Sequence, residues 1–195
     1  MAFTNHQTKE INCKIVYFGC RGSGKTTTLR SIYNQTSAET KSGLSELDSD
    51  VGPTNFYDFL PVSLGQLKGY HLKLHLYSLP HSSLYRSVTP TILRGLDGVV
   101  FIADSSVESY YDNVESLEQM KTTLFSNNYI LGEIPRVFQY NKRDLEGAVP
   151  VPILRQQLNP AGFIDTETVA TNSIGTLEAL QAMAKLVMDK ISRGV

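Results

Sequence analysis

Lys14-Ile15-Val16-Tyr17-Phe18-Gly19-Cys20-Arg21-Gly22-Ser23-Gly24-Lys25-Thr26 is an apolar strand-like run that ends in G-x-x-x-x-G-K-T, and a helical pattern follows it. Strand, glycine loop and helix in that order turn a string match into a structural claim, the phosphate loop. Glycines let consecutive backbone N–H groups wrap around phosphate oxygens, and the N-terminus of the helix adds the positive end of its dipole. In such a loop Lys25 reaches the outer phosphates and Thr26 offers a hydroxyl to Mg²⁺.

Outward from that loop, short apolar runs alternate with helical patterns along the whole chain, which predicts a parallel sheet with crossover helices. The expected strands are 11–19, 55–62, 70–79, 98–103, 135–140 and about 165–170. His71 to Tyr77 alternates with period two, as a half-buried edge or antiparallel strand does, whereas Val99-Val100-Phe101-Ile102 is solidly apolar, as an inner strand is. One helix follows Gly24, and a second covers about 107–125 with Val114, Leu117 and Leu124 inward. The last carries Leu177, Leu180, Ala184, Val187 and Ile191 as one stripe. The fold class is α/β, a single P-loop NTPase domain over 1–195, with a mostly parallel central sheet and helices on both faces. The polar stretch from Ser37 to Pro53 interrupts the alternation, and loops of that length in compact domains are usually functional.

Composition sets the outer limits. In 195 residues, 18 Lys and Arg face 19 Asp and Glu, a net charge of −1 that speaks against a general nucleic-acid binder. With 41% apolar and 19% charged residues the chain can build a core, and its apolar runs fall short of the roughly 18 residues that a spanning helix needs. The polar start has no signal-peptide pattern and no Gly at position 2, and no prenylatable cysteine stands near the end. A cytoplasmic protein is expected, without direct membrane insertion. Cys13 and Cys20 have no His or Cys at metal-ligand spacing, so both read as reduced thiols.

A second motif names the base. The strand 135–140 runs into Asn141-Lys142-Arg143-Asp144, an N-K-x-D sequence at the sheet's carboxyl edge, where open α/β folds bind ligands. Asp144 can accept from the ring N1–H and the 2-amino group of guanine, a donor pair that adenine lacks. A carboxylate left unpaired by adenine discriminates against it. Asn141 can brace the loop, and the stem of Lys142 can cover a face of the base.

With both motifs in place, the chain resembles the small Ras-like GTPases over nearly its whole length, and within them the bacterial MglA subfamily, which controls cell polarity and motility. The likeness rests on Glu10-Ile11-Asn12-Cys13-Lys14-Ile15-Val16-Tyr17 before the phosphate loop and on Phe59-Leu60-Pro61. It rests also on Gly95-Leu96-Asp97-Gly98-Val99-Val100-Phe101 and Gln139-Tyr140-Asn141-Lys142-Arg143-Asp144-Leu145. The resemblance implies GTP or GDP with Mg²⁺ (magnesium), held by the run Gly19, Cys20, Arg21, Gly22, Ser23, Gly24, Lys25, Thr26 and Thr27, with Asn141, Lys142 and Asp144 at the base. Thr26 and Thr54 would serve the metal, Thr54 as the first-switch threonine, and Ala170 would sit in the loop whose N–H meets the guanine oxygen. It also implies a roadblock-domain (MglB-like) regulator, a response-regulator-like polarity scaffold as effector, and recruitment to a cell pole.

The chain departs from that pattern where hydrolysis is performed. A small GTPase holds the attacking water with a glutamine and offsets developing charge with an arginine. The corresponding positions here are Ser82 and Pro53. Proline has no donor, and serine is too short to hold the water. Arg21 and His81 replace two glycines of the subfamily, one in the phosphate loop and one that senses the γ-phosphate, whereas Ser78 keeps the subfamily's hydroxyl. Binding residues are kept and hydrolytic ones are lost, so a slow, GTP-held switch is expected, acting through segments of about 42–54 and 79–90. The rival reading is an active GTPase with Arg21 or His81 as catalytic residue. An interaction module without nucleotide and a P-loop kinase or ATPase are disfavoured by the retained phosphate loop and by Asp144.

Overall fold

A strand sends successive side chains to opposite faces, and the first long strand shows what that does to a central position in a sheet. In β2 (Glu10–Phe18) Cys13, Ile15 and Tyr17 enter one core and Val16 and Phe18 another. Every residue of β6 (Leu96–Asp104) is buried, since it is covered on both faces.

The computed structural model describes residues 3–5, 7–36, 45–46, 58–67, 69–79 and 89–193. Among them the remaining strands are β1 (Phe3–Asn5), β3 (Ser45–Glu46), β4 (Asp58–Leu67), β5 (Tyr70–Ser78), β7 (Arg136–Asn141) and β8 (Asp165–Glu167). The sheet order is β3-β4-β5-β2-β6-β7-β8, with β1 antiparallel to β2 beside this path. From β5 to β8 all pairs are parallel, and β3 and β4 add antiparallel pairs at one end. The helices are α1 (Lys25–Gln35), α2 (Thr89–Leu93), α3 (Tyr110–Ser126), α4 (Val151–Leu158) and α5 (Thr176–Arg193). Leu29 and Ile32 of α1 join Leu180, Met183, Ala184 and Val187 of α5 on one face. Ile92 and Leu93 of α2, Leu117, Met120 and Leu124 of α3 and Leu154 and Leu158 of α4 cover the other.

The α/β class, the parallel centre and the inward stripe of the last helix agree with the expectation. Val114, Leu117 and Leu124 face the core as expected, Val114 partly buried against it, and Met120 joins them. The strand expected at 55–62 runs instead over Asp58–Leu67, because the polar, glycine-containing continuation pairs with β5 across a turn in which Gly69 has φ +82°. A register shift between Ser63 and Gln66 accommodates it. Of the two alternatives for β5, edge or antiparallel strand, the second holds: it pairs antiparallel with β4, lies between β4 and β2, and alternates in burial along its length. The strand expected to reach 170 stops at Glu167, and Ala170 opens a short 3-10 turn. Among the described residues no helix is long and apolar enough to cross a membrane.

Candidate functional site

α1 leaves the sheet on one face and α3 on the other, so the carboxyl ends of β2 and β6 diverge into a crevice, the place where doubly wound sheets take ligands. The phosphate loop fills its floor. Gly19 has φ +147° and Gly24 φ +99°, backbone that other residues rarely adopt. A Cβ on Gly19 would drive into the carbonyl oxygen of Ile102, and one on Gly24 into the side-chain amide of Asn141. Gly24 also starts α1 without a side-chain cap. The backbone N–H groups of Gly22, Gly24 and Thr26 meet no protein acceptor among the described residues. An uncapped helix start with unpaired amides and closely packed glycines suits a phosphate chain, so the residues present fit the nucleotide that the sequence implies.

Lys25 is buried and folds back across the loop, with Nζ donating to the carbonyls of Gly19 and Cys20 at 2.8 Å each. Thr26 and Thr27 are half-buried, while Arg21 is exposed. Ser23 is fully buried, and its hydroxyl has no partner among the described residues. Two asparagines clamp the loop. Asn113 of α3 accepts from the Cys20 thiol at 3.4 Å and from the Asp104 amide at 2.9 Å, and donates to the Asp104 carbonyl at 2.7 Å. Asn141, at the end of β7, donates to the Ser23 carbonyl at 2.8 Å and accepts from the Ala170 amide at 3.0 Å. The phosphate loop and the turn that holds Ala170 are thus tied to one side chain.

Lys142, with φ +64°, follows, and its ammonium lies 2.6 Å from a carboxylate oxygen of Asp104. Burial pushes the Asp104 carboxyl up, but the bonds from Lys142 and from Ser106 outweigh it and hold the group below its ordinary range. Arg143 donates to the Val149 carbonyl at 2.8 Å, and Asp144 is exposed beside them, its carboxylate open to a ligand's donors. Both cysteines are free and buried, as expected of reduced thiols. Burial pushes Cys13 up to about 12 and raises Cys20 as well, although Lys25 opposes the second shift.

The structure therefore brings together Gly19 through Thr27, Asn141, Lys142, Asp144 and Ala170. Thr54, Pro53, His81 and Ser82 lie outside the described residues. So does most of the stretch 37–53. Sequence reasoning passed over Asp104, Asn113, Gln139 and Thr168. A polar pair, Asp104-Ser105, directly after an all-apolar strand end was the signal for the first.

No family model matches the chain. It is 45% identical over 194 residues, the full length of both chains, to the mutual gliding-motility protein MglA of Myxococcus xanthus (strain DK1622). It is 23% identical over 193 residues to the Ras-related protein Rab-7b of Bos taurus, covering 93% of this chain and 85% of that one. To the Ras-related protein RABC2b of Arabidopsis thaliana it is 23% identical over 120 residues, which is 62% of this chain and 53% of the relative.

Proposed function

The chain belongs to the MglA family of Ras-like small GTPases, and from that premise we propose that it is a guanine-nucleotide switch in motility or cell polarity that hydrolyses GTP very slowly and stays mainly in its GTP form. One observation carries the binding half of this reading. Asn141 joins the Ser23 carbonyl of the phosphate loop to the Ala170 amide of the base loop, so a single rigid unit meets both ends of a nucleotide. Lys25 and the loop amides would hold the phosphates, Asp144 and the Ala170 N–H the guanine, and Thr26 and Thr54 the Mg²⁺, which supplies charge neutralisation at the phosphates.

The slow half of the reading rests on chemistry that the chain lacks. Pro53 and Ser82 stand where the family pattern has its arginine and glutamine. An arginine finger alone is worth a factor of roughly 10³ to 10⁵ in rate. Output would then pass through partners that dock on the switch segments, a response-regulator-like scaffold among them, and a roadblock-domain regulator would stimulate hydrolysis little. Such partners would bring the protein from the cytoplasm to a pole.

The exposure of Arg21 favours a second reading, in which its guanidinium reaches the outer phosphate and the protein is an active GTPase. The experiment is to denature the protein as purified, identify the released nucleotide by anion exchange, and follow added GTP over hours with wild type and Arg21→Ala. Retained GTP and negligible turnover in both is the expected result. Measurable wild-type turnover that Arg21→Ala abolishes would replace it with the active reading, and the absence of guanine nucleotide would overturn both.

A further inference from the structure

A buried amide on β7 belongs to neither nucleotide motif, yet its two bonds reach Thr28, just past the phosphate loop, and Thr168, two residues before Ala170. Gln139 is fully buried, two residues before Asn141 and on the same face of the strand. Its Nε2 donates to the hydroxyl of Thr28 in α1 at 3.0 Å and to the hydroxyl of Thr168 at 3.1 Å. Thr28, Thr168 and Asn141 are buried as well, so water does not supply alternatives.

The direction of these bonds matters. A threonine hydroxyl has one proton, and one that accepts from Gln139 is free to donate that proton onward. For Thr168 the onward acceptor is Asn141 Oδ1 at 3.1 Å, with the Tyr140 carbonyl at 3.4 Å as the longer alternative. Asn141 Oδ1 then receives two donors, Thr168 and the Ala170 amide, which leaves its NH₂ end to face the Ser23 carbonyl. Were the Asn141 amide reversed, nitrogen would face the Ala170 N–H and oxygen would face the Ser23 carbonyl, two repulsive contacts in a dry site. Gln139 Oε1 itself has no partner among the described residues. An orphaned buried acceptor costs roughly 1–3 kcal/mol. An apolar residue would fill the same space without that cost, but without the two donors that meet Thr28 and Thr168.

We infer that Gln139 is a positioning residue for nucleotide binding: through Thr168 it sets the orientation of Asn141, and through Thr28 it links that orientation to the helix that carries the phosphate loop. The inference rests on the proposed guanine-nucleotide reading. It predicts that the grip on the phosphates and the choice of base weaken together when this one side chain is lost, although Gln139 contacts neither.

The test uses the full-length chain, stripped of nucleotide and reloaded with a fluorescent GDP or ADP analogue. Gln139→Met removes both donors at nearly constant volume, and Thr168→Val cuts the relay at its middle. Each is expected to release GDP roughly five- to tenfold faster, as the loss of one or two buried hydrogen bonds implies. Each should also lower the preference for GDP over ADP, because the turn that carries Ala170, tied through Asn141 to the phosphate loop, is no longer held in place. The double variant should be no worse than either single one, since both act on the same chain of bonds. If Gln139→Met does not fold, Thr28→Val, which removes the other partner of the same amide and leaves the bond from Thr168 to Asn141 in place, decides the matter by the same readouts. Variants that melt earlier but keep the wild-type release rate and base preference would reduce Gln139 to a core residue and overturn the inference. A wild-type protein that binds neither nucleotide would instead overturn the functional reading on which it rests.

Discussion

Lys142 has an ordinary-looking position in its motif and a structural role that the motif does not state. Its ammonium, at a half-exposed position, meets a carboxylate of Asp104 that is 3% exposed. Remove the ammonium and the carboxylate stays buried with the Ser106 amide and hydroxyl as its support, so burial dominates and its pKa rises. Lys142→Met is expected to cost about 1–3 kcal/mol at neutral pH, the range for leaving a buried polar group short of its partner. The sign with pH follows from the direction of the shift. In the wild type the carboxyl is held below its ordinary value of 3.8, so its contribution is full above that value and is lost as pH falls through the lower, folded value. Urea unfolding at several pH values should therefore show the two proteins far apart at neutral pH and converging on acidification. A constant gap would mean that Lys142 acts through packing of its stem instead. At this scale the motif residues themselves were legible, because glycine, lysine and asparagine at fixed spacing have few other uses. Asp104, Asn113 and Thr168 were not, since what they do depends on strand ends that meet only in the fold. Gly24 shows the same limit from the other side: the motif demands a glycine there, but the reason seen here is the close approach of the Asn141 side chain from a strand more than a hundred residues away.

Between residues and fold stand the elements, and their legibility followed burial. The all-apolar inner strand and the striped last helix read directly. The short strands Phe3–Asn5 and Ser45–Glu46 did not, because two or three residues show no period of their own and become strand only by pairing with a strand that already exists. α2 and α4, five and eight residues long, were missed for the related reason that they are too short to display a period. Contact between elements is close at Gly98 of β6, where α5 packs on the sheet. A Cβ there would stand 2.5 Å from Met183 Sδ and 3.0 Å from Ile15 Cδ1. Met183 is flexible enough to yield to one methyl group, but the branched side chain of Gly98→Val has Ile15 and Val187 to displace as well. Overpacking of this kind costs about 1–3 kcal/mol. The expected result is a melting temperature several degrees lower with unchanged GDP affinity, because the clash lies in the α1 and α5 layer below the crevice. A loss of affinity that exceeds the loss of stability would show that α5 bears on the site.

The whole molecule couples these layers, and its two thiols sit at two depths from which the coupling can be read. Cys13 is in the middle of β2, in the core between the sheet and the α1 and α5 layer, and Cys20 is in the phosphate loop, fastened to Asn113. Burial raises the pKa of both, to about 12 for Cys13, so neither is a thiolate at neutral pH, and reaction with an alkylating reagent must await opening of the structure. For Cys20 the opening is local, since it needs only the release of one loop from two asparagine clamps. For Cys13 it is the unfolding of the sheet. In nucleotide-free protein, Cys20 is therefore expected to be alkylated faster than Cys13, as peptide mass spectrometry after quenching would show. Nucleotide bound to the closed loop opposes both openings by mass action, so GDP at one hundred times its dissociation constant should slow both by roughly a hundredfold and leave their order unchanged. Equal rates for the two thiols without nucleotide would mean that the loop and the sheet open as one unit. The site would then be as stable as the core that carries it, and a nucleotide could not be exchanged without unfolding the protein.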